Sequence, residues 1–237
     1  MPKAHTIVLI DETDRLPPNE LKFVRDLVMT EYRWLPLGGR LTVRNIVADT
    51  DAGEDITICR IADSSSSGGL VDNDRTIRER FDKIAGSRLQ ALFEELAAAP
   101  VQETSPIMET IAGMVDRSDF GANVPQRRLT VVSDFAQHSD LFSMYSSRWS
   151  RALPNAVAEE LGRDLTGVDV RLQYVRRRSL AALQGAEHRA FWKGYIDEQS
   201  AKSVAVDHGL LIGEALDRPT WIYTPPEGSR PTPRSGS

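Results

Sequence analysis

Acidic and hydroxyl side chains follow the first apolar run of the chain. The segment HTIVLIDETDRL, residues 5–16, ends a run rich in β-branched residues with Asp11, Glu12, Thr13 and Asp14. Carboxylates this close repel one another and lose solvation unless a cation lies among them or a helix N-terminus follows. The segment therefore predicts either a helix cap, for which Asp14 is suited, or a metal site that uses Asp11 and Thr13.

Two later segments carry side chains of the same kind. The run RRLTVVSDF has the pattern of a strand and ends in an acid, and TSPIMETI places two hydroxyls before an apolar helical pattern. In a parallel sheet the strands end at one edge, where ligands bind and from which helices return. Hard oxygen ligands of this kind suit Mg²⁺ or Mn²⁺ better than zinc or copper. We therefore expect one candidate metal site at this edge, formed by two carboxylates and two or three hydroxyls from the set Asp11, Asp134, Thr13, Thr104 and Ser105.

Strand and helix patterns alternate along the chain. Strands are predicted at TIVLID, at 41–47 after a Gly-Gly turn, at 56–61, at RRLTVVS and at 168–175; helices are predicted at 17–33, 74–99, from 105, and at 180–201. Such alternation predicts an α/β fold, with a doubly wound, mostly parallel central sheet flanked by helices. The short connection between the second and third strands predicts an antiparallel strand at one edge.

The candidate site and most of the predicted elements fall within residues 1–203, which we interpret as one α/β domain. Residues 204–224 have no clear pattern and are interpreted as a C-terminal extension packed on the domain. The end of the chain, 225–237, is rich in proline, glycine and serine and is predicted to be a disordered tail. The run SSSSGG, 64–69, is predicted to be a loop.

Composition limits the possible functions. The 237 residues carry a net charge of −5, which gives no support to binding of nucleic acid or of an anionic membrane. The single cysteine, Cys59, excludes an intrachain disulfide and a cysteine-based zinc site. No signal-peptide pattern and no apolar run long enough to span a bilayer is found, so a cytoplasmic protein is expected.

The order and context of the candidate ligands resemble the von Willebrand factor A (VWA) domain. D-x-T follows the first strand, a hydroxyl in SPIMETI opens a middle helix, and SDF follows the fourth strand; the resemblance extends roughly over 4–201. It implies a metal-ion-dependent adhesion site with Mg²⁺ (or Mn²⁺), in which Asp11 and Thr13 belong to the first motif, Ser105 to the second and Asp134 to the third.

Two positions depart from the pattern of that family. Arg15 stands where the family usually has a second serine, and Phe135 stands where glycine is common. A guanidinium cannot ligate a metal, so Arg15 would either neutralise the acids itself or point outward while water replaces the hydroxyl. Phe135 is expected to crowd the rim of the site, which Gln137 and His138 could also line.

Three neighbouring features have simpler interpretations. Glu12 is expected to face solvent, and Ser133 to hydrogen-bond within its own loop. The basic run VRRRS, 175–179, is expected to be the solvated entry to a helix. None of these residues is assigned to the metal site on sequence grounds.

The resemblance implies a protein–protein interaction module, not an enzyme. A partner's Asp or Glu would complete the coordination of the cation, and bacterial members of the family often act beside ATPase partners in larger assemblies. Substitution of Asp11 or Asp134 by alanine is expected to abolish partner capture without unfolding the protein.

Two alternatives stay open. One is a Mg²⁺-dependent phosphatase or nuclease that uses Asp11 as nucleophile or ligand, although Thr13 stands where a haloacid-dehalogenase-type phosphatase would carry an acid. The other is a metal-free VWA scaffold in which Arg15 is the internal counter-ion.

Overall fold

The computed structural model describes residues 1–13, 16–53, 55–60, 74–146, 149 and 153–207, and for 74–82 it describes the backbone alone. The described residues form the strands β1 (Ala4–Asp11), β2 (Arg40–Ile46), β3 (Asp55–Cys59), β4 (Gln126–Ser133), β5 (Val168–Tyr174) and β6 (Ser203–Asp207). The helices are α1 (Pro18–Trp34), α2 (Asp74–Ala98), α3 (Ile107–Val115), α4 (Asn155–Leu161) and α5 (Ala186–Asp197), with a 3-10 turn at Arg178–Leu180.

The six strands form one sheet in the order β3-β2-β1-β4-β5-β6. All neighbouring strands are parallel except β2 and β3, which pair antiparallel at the edge. This is the strand order of a doubly wound sheet. The predicted fold class, an α/β fold with one antiparallel edge strand, is therefore confirmed.

Helices cover both faces of the sheet because successive side chains of a strand point to opposite faces. In β1, Ile7 and Leu9 belong to the core formed with α3, α4 and α5, whereas Val8 and Ile10 belong to the core formed with α1 and α2. All eight residues of β1 are buried. The central strand is thus an apolar run without alternation, as expected of a strand covered on two sides.

Strands β1, β4 and β5 end side by side, at Asp11, Ser133 and Tyr174. We call this end of the sheet, with the loops that leave it, the carboxyl edge. Helix α1 begins beside it after Pro17, with Pro18 at its first position, where proline is favoured. The Gly-Gly turn before β2 is also confirmed, and Gly38 has the positive φ of 82° that this turn requires.

Several elements differ from the sequence prediction. The helix predicted at 180–201 is shorter, because the 3-10 turn at Arg178–Leu180 precedes it and α5 begins only after Gly185. Helix α4 has no counterpart in the prediction. On α2, the apolar side chain of Ile84 is 50% exposed. No helix of the described residues is both long and apolar enough to cross a membrane.

The segment that the sequence left without an element begins with a strand. Residues Ser203–Asp207 form β6, which pairs parallel with β5. The rest of the predicted extension at 204–224, the predicted tail at 225–237 and the predicted loop at 64–69 lie outside the described residues.

Candidate functional site

The Asp11 carboxylate is the centre of a hydrogen-bond cluster at the carboxyl edge. Its Oδ1 accepts hydrogen bonds from the backbone N–H of Thr13 (3.1 Å) and from the Thr13 hydroxyl (2.6 Å). Its Oδ2 accepts hydrogen bonds from the hydroxyls of Ser105 (3.2 Å) and Ser133. All four side chains are buried. Three of the four predicted ligand residues are therefore brought together, with Ser133 as an additional member.

Backbone hydrogen bonds hold the loops of this cluster in place. The N–H of Ser105 donates to the carbonyl of His138 (2.7 Å), and the N–H of His138 donates back to the carbonyl of Ser105 (3.0 Å). The N–H of Gln102 donates to the carbonyl of Thr13 (2.8 Å). The loops after β1 and β4 are thus fixed to the segment that leads into α3, so the positions of the hydroxyls are set by the fold.

Asp134, the fourth predicted ligand, directly follows Ser133 and makes contacts of a different kind. Its Oδ1 accepts a hydrogen bond from the N–H of Ala136 (2.9 Å), which closes the turn after β4. Its Oδ2 lies 3.4 Å from Nε of Arg177, and the carboxylate is 7% exposed. Asp134 is therefore the neighbour of one cluster residue, Ser133, and Arg177 is among its own partners.

Arg177 is the residue that the sequence interpretation missed most clearly. Its side chain is only 11% exposed, and its Nη1 lies 3.7 Å from Oε2 of the buried Glu20 in the first turn of α1. The interpretation of VRRRS as a solvated helix entry is therefore wrong for Arg177. The chain turns after Val175, and this turn places the Arg177 guanidinium at the carboxyl edge. The spacing of residues within a basic run does not reveal such a turn.

The residue proposed from sequence as the internal counter-ion, Arg15, lies outside the described residues, as does the proposed helix cap, Asp14. Among the described residues, Arg177 supplies a cation at the carboxyl edge.

Phe135 does not crowd the rim of the site. Its side chain is fully buried and packs against Tyr174 and Trp192, with ring centroids 4.4 and 5.1 Å apart. Its backbone has φ 62°, the left-handed region in which glycine is favoured. The position that is glycine in the family pattern thus needs an unusual backbone here, and the aromatic packing compensates for the strain.

Gln137 is also absent from the rim. It is fully buried; its Oε1 accepts a hydrogen bond from the N–H of Met108 in the first turn of α3 (2.9 Å), and its Nε2 donates to Glu109 (2.9 Å). Gln137 therefore fixes the start of the helix that follows Ser105. His138 does lie near the surface, where its ring packs edge-on against exposed Tyr145 at 5.4 Å.

Glu12 was expected to face solvent, and the structure contradicts this expectation. The residue is half-buried, and its Oε2 is buried without a hydrogen-bond partner among the described residues. Burial raises the pKa of its carboxyl, and the negative charges of Glu95 and Asp11 raise that pKa further. The negative charges of Glu95 and Asp11 therefore act on Glu12 beside the Asp11 cluster.

The donor chemistry of the edge fits a hard divalent cation. Within the described part of the chain, no group of three His, Cys, Asp or Glu side chains is placed to hold a metal ion. The cluster instead combines one carboxylate with three hydroxyls, all of them oxygen donors of the type that Mg²⁺ accepts together with water. Ser133 could have been recognised from its position one residue before Asp134 at a strand end.

Comparisons with known proteins do not identify a family for this chain. No family model and no curated protein matches the chain. Among solved structures, it is similar to the conserved hypothetical protein BatB from Bacteroides thetaiotaomicron, with 13% identity, a TM-score of 0.41, and 87% of this chain and 91% of that chain covered. It is also similar to an aerotolerance-related membrane protein from Bacteroides fragilis NCTC 9343 carrying multiple mutations to serines, with 10% identity, a TM-score of 0.35, and 86% and 92% covered. Similarities this weak carry no argument about function.

Proposed function

We propose that the carboxyl edge binds Mg²⁺ or Mn²⁺ and, through it, an Asp or Glu side chain of a partner protein. The chain would then act as a VWA-like interaction module. The observation that carries the proposal is the convergence of three hydroxyls and a carboxylate at Asp11, with the Asp134 carboxylate in the adjoining loop. Asp11, Thr13, Ser105 and Asp134 would hold the ion directly or through water. The ion would supply the positive charge that a partner's carboxylate needs.

The environment of Asp11 supports docking over hydrolysis. Both oxygens of its carboxylate already accept hydrogen bonds from neighbouring groups, and the residue is 6% exposed. A nucleophile of a phosphatase must itself reach a substrate phosphorus, whereas a buried carboxylate can also hold Mg²⁺ through a water that the ion keeps. The Asp11-nucleophile hypothesis is therefore the weaker alternative.

The surface around the cluster supports a protein partner. The exposed large apolar side chains of the described residues are Met1, Leu37, Ile84, Val101, Leu141 and Tyr145. Three of these, Val101, Leu141 and Tyr145, lie on the segments 100–106 and 135–146 that hold Ser105 and follow Asp134. Exposed apolar and aromatic residues next to a charged site are typical of interaction surfaces. The resemblance adds the hypothesis that the partner belongs to an assembly containing an ATPase.

One observation favours a second candidate function, a metal-free scaffold. The Arg177 guanidinium lies beside Asp134 and offsets part of the negative charge of the carboxyl edge without any metal ion. In that case the edge would be stabilised by Arg177, and docking would not depend on a divalent cation.

Addition of millimolar Mg²⁺ or Mn²⁺ is expected to raise the melting temperature above that in EDTA. An ion that binds the folded form alone, at about 100 times its Kd, adds about 2.7 kcal/mol to the free energy of unfolding. For a chain of this size that corresponds to a shift of about 5 °C or more. Differential scanning calorimetry in EDTA and in each metal measures the shift.

The matched variant for this test is Asp134→Asn, because the amide oxygen can still accept the hydrogen bond from Ala136 while the charge is lost. The shift should disappear in Asp134→Asn. A wild-type protein that melts at the same temperature in EDTA and in metal would contradict the metal site and favour the scaffold.

Tyr145→Ala is expected to weaken peptide binding about tenfold, the loss typical of a well-placed interface aromatic. A random peptide library displayed on phage, selected on the immobilised protein in Mg²⁺, should yield peptides with Asp or Glu next to apolar residues. The control is Leu37→Ala, an exposed apolar residue in the turn that precedes β2. Equal losses in both variants, or enriched peptides without an acid, would contradict the proposed docking.

A further inference from the structure

A largely buried arginine, Arg177, contacts a carboxylate of the proposed metal site. Nε of Arg177 lies 3.4 Å from Oδ2 of Asp134, and the side chains are 11% and 7% exposed. Asp134 is one of the residues to which the proposed function assigns the cation. The Arg177 guanidinium and the proposed divalent ion would therefore both interact with the Asp134 carboxylate.

The position of Arg177 is fixed by the buried side chain of Gln184. Its Oε1 accepts a hydrogen bond from the backbone N–H of Arg177 (2.8 Å), while its Nε2 donates to the carbonyl oxygens of Asp134 (2.9 Å) and Val175 (2.8 Å). One amide group thus joins the backbone of Arg177 to the backbone of Asp134. The pairing of the two residues is built into the fold and does not depend on a flexible surface side chain.

A second carboxylate lies near a different nitrogen of the guanidinium. Oε2 of Glu20 is 3.7 Å from Nη1 of Arg177, and the Glu20 side chain is 2% exposed. Glu20 stands in the first turn of α1, where the helix dipole also favours a negative charge. The Arg177 guanidinium therefore has a favourable partner at the edge besides Asp134.

We propose that Arg177 is an internal cation that competes with the divalent ion for Asp134, so that Arg177 sets the metal affinity of the carboxyl edge. The inference rests on the proposed function, because it assumes that a divalent ion uses Asp134. Glu20 keeps the guanidinium at the edge when its contact with Asp134 weakens. The site is then tuned to weak metal binding and responds to the metal concentration around it.

Arg177 would weaken metal binding because its positive charge and that of the ion repel each other at short range where solvent is scarce. A guanidinium within 4 Å of a carboxylate offsets the negative charge that attracts a metal ion, and it also repels that ion directly. The coupling is reciprocal, so a bound ion must weaken the contact between Arg177 and Asp134 by the same free energy. Water cannot screen the repulsion fully, since both side chains are largely buried.

Removal of the Arg177 charge should therefore tighten metal binding. The expected result for Arg177→Gln is an affinity for Mn²⁺ about tenfold or more above wild type, within the range usual for coupled sites. The probe is Mn²⁺ alone, titrated into the full-length protein, with free Mn²⁺ measured by its electron paramagnetic resonance signal. Circular dichroism of each variant reports whether it is folded.

Two matched variants separate the local effect from net charge and from misfolding. Arg178→Gln removes the same charge from the adjacent, exposed arginine and should leave the affinity close to wild type. Arg177→Lys keeps the charge, so its affinity should stay well below that of Arg177→Gln even if Arg177→Gln is itself less stable. If Arg178→Gln tightens Mn²⁺ binding as much as Arg177→Gln does, the effect is one of net charge and the inference is overturned.

The outcomes distinguish this inference from the proposed function. Binding of Mn²⁺ by wild type that is lost in Asp134→Asn, but is equally tight in Arg177→Gln, keeps the proposed function and overturns the competition. Binding by Arg177→Gln alone supports the competition and overturns metal-dependent docking in the wild-type protein. Absence of binding in every variant overturns both.

Discussion

Asp11→Ala is expected to lower the free energy of unfolding by about 3 kcal/mol, the upper range for a hydrogen-bonded charged group. The substitution removes the acceptor of four hydrogen bonds, three of which come from the hydroxyls of Thr13, Ser105 and Ser133. These hydroxyls are buried, so water cannot easily replace the carboxylate. The loss should also separate β1 from the loop that precedes α3, because Asp11 links the two.

Urea denaturation followed by circular dichroism measures this effect. Ser105→Ala removes one donor and leaves the acceptor with its other partners, so its cost should be about 1 kcal/mol. Asp140→Ala, an exposed acid in the loop after β4, should change stability by about 0.5 kcal/mol or less. A loss below 1 kcal/mol in Asp11→Ala would contradict the role of Asp11 as the centre of the cluster.

The contacts of Asp11 and Asp134 also decide which variant suits a test of partner capture. The sequence suggests that Asp11→Ala abolishes capture while the protein stays folded. The contacts of Asp11 instead predict a substantial loss of stability, which would confuse loss of function with loss of structure. Asp134→Asn is the cleaner variant, because its amide keeps the hydrogen bond to Ala136.

The sheet was predictable because its central strands are buried on both faces. The segments TIVLI and LTVV are continuous apolar or β-branched runs, and each lies in a strand in the middle of the sheet. The elements that escaped prediction have weak patterns. Helix α4 has only seven residues, of which Val157 and Leu161 are buried, and β6 is an edge strand without a buried residue. Such segments gain their structure from neighbours, which local sequence does not reveal.

Within the candidate site, the sequence identified the residues but not all of their partners. Asp11, Thr13 and Ser105 were predictable because each stands where an element begins or ends. The pairing of Arg177 with Asp134 was not, since it depends on the turn after β5 and on the Gln184 side chain. The inward direction of Phe135 depends on its positive φ, which a motif cannot show.

The second large effect is a loss of stability at acidic pH. Lowering the pH from 7 to 4 should reduce the free energy of unfolding by about 3 kcal/mol through His188 alone, at about 1.4 kcal/mol for each unit between its two pKa values. His188 is fully buried; its Nε2–H donates to the carbonyl of Phe135 (3.0 Å), and its Nδ1 lies 3.4 Å from the Tyr174 hydroxyl. Burial lowers the pKa of His188 from 6.5 to about 4.

The sign follows from proton binding. The unfolded chain takes up a proton at His188 as the pH falls through 6.5, whereas the folded protein does so only near 4. The stabilising contribution is therefore complete above 6.5, decreases between 6.5 and 4, and is constant below 4. Burial also lowers the pKa of His5, so that residue adds a loss of the same sign. The raised pKa of Glu12 acts in the opposite direction, since protonation of this carboxyl favours the folded form.

Comparison of wild type with His188→Gln separates the contribution of His188 from those of His5 and Glu12. The amide of glutamine can still donate to the Phe135 carbonyl but does not titrate, so the pH dependence of its unfolding free energy should be flatter than that of wild type by about 3 kcal/mol between pH 7 and 4. Urea denaturation of both proteins across this range gives the difference directly. Parallel curves would mean that the pKa of His188 is the same in the folded and unfolded states. That result would contradict its burial against Phe135, and with it the inward packing of the loop that carries Asp134.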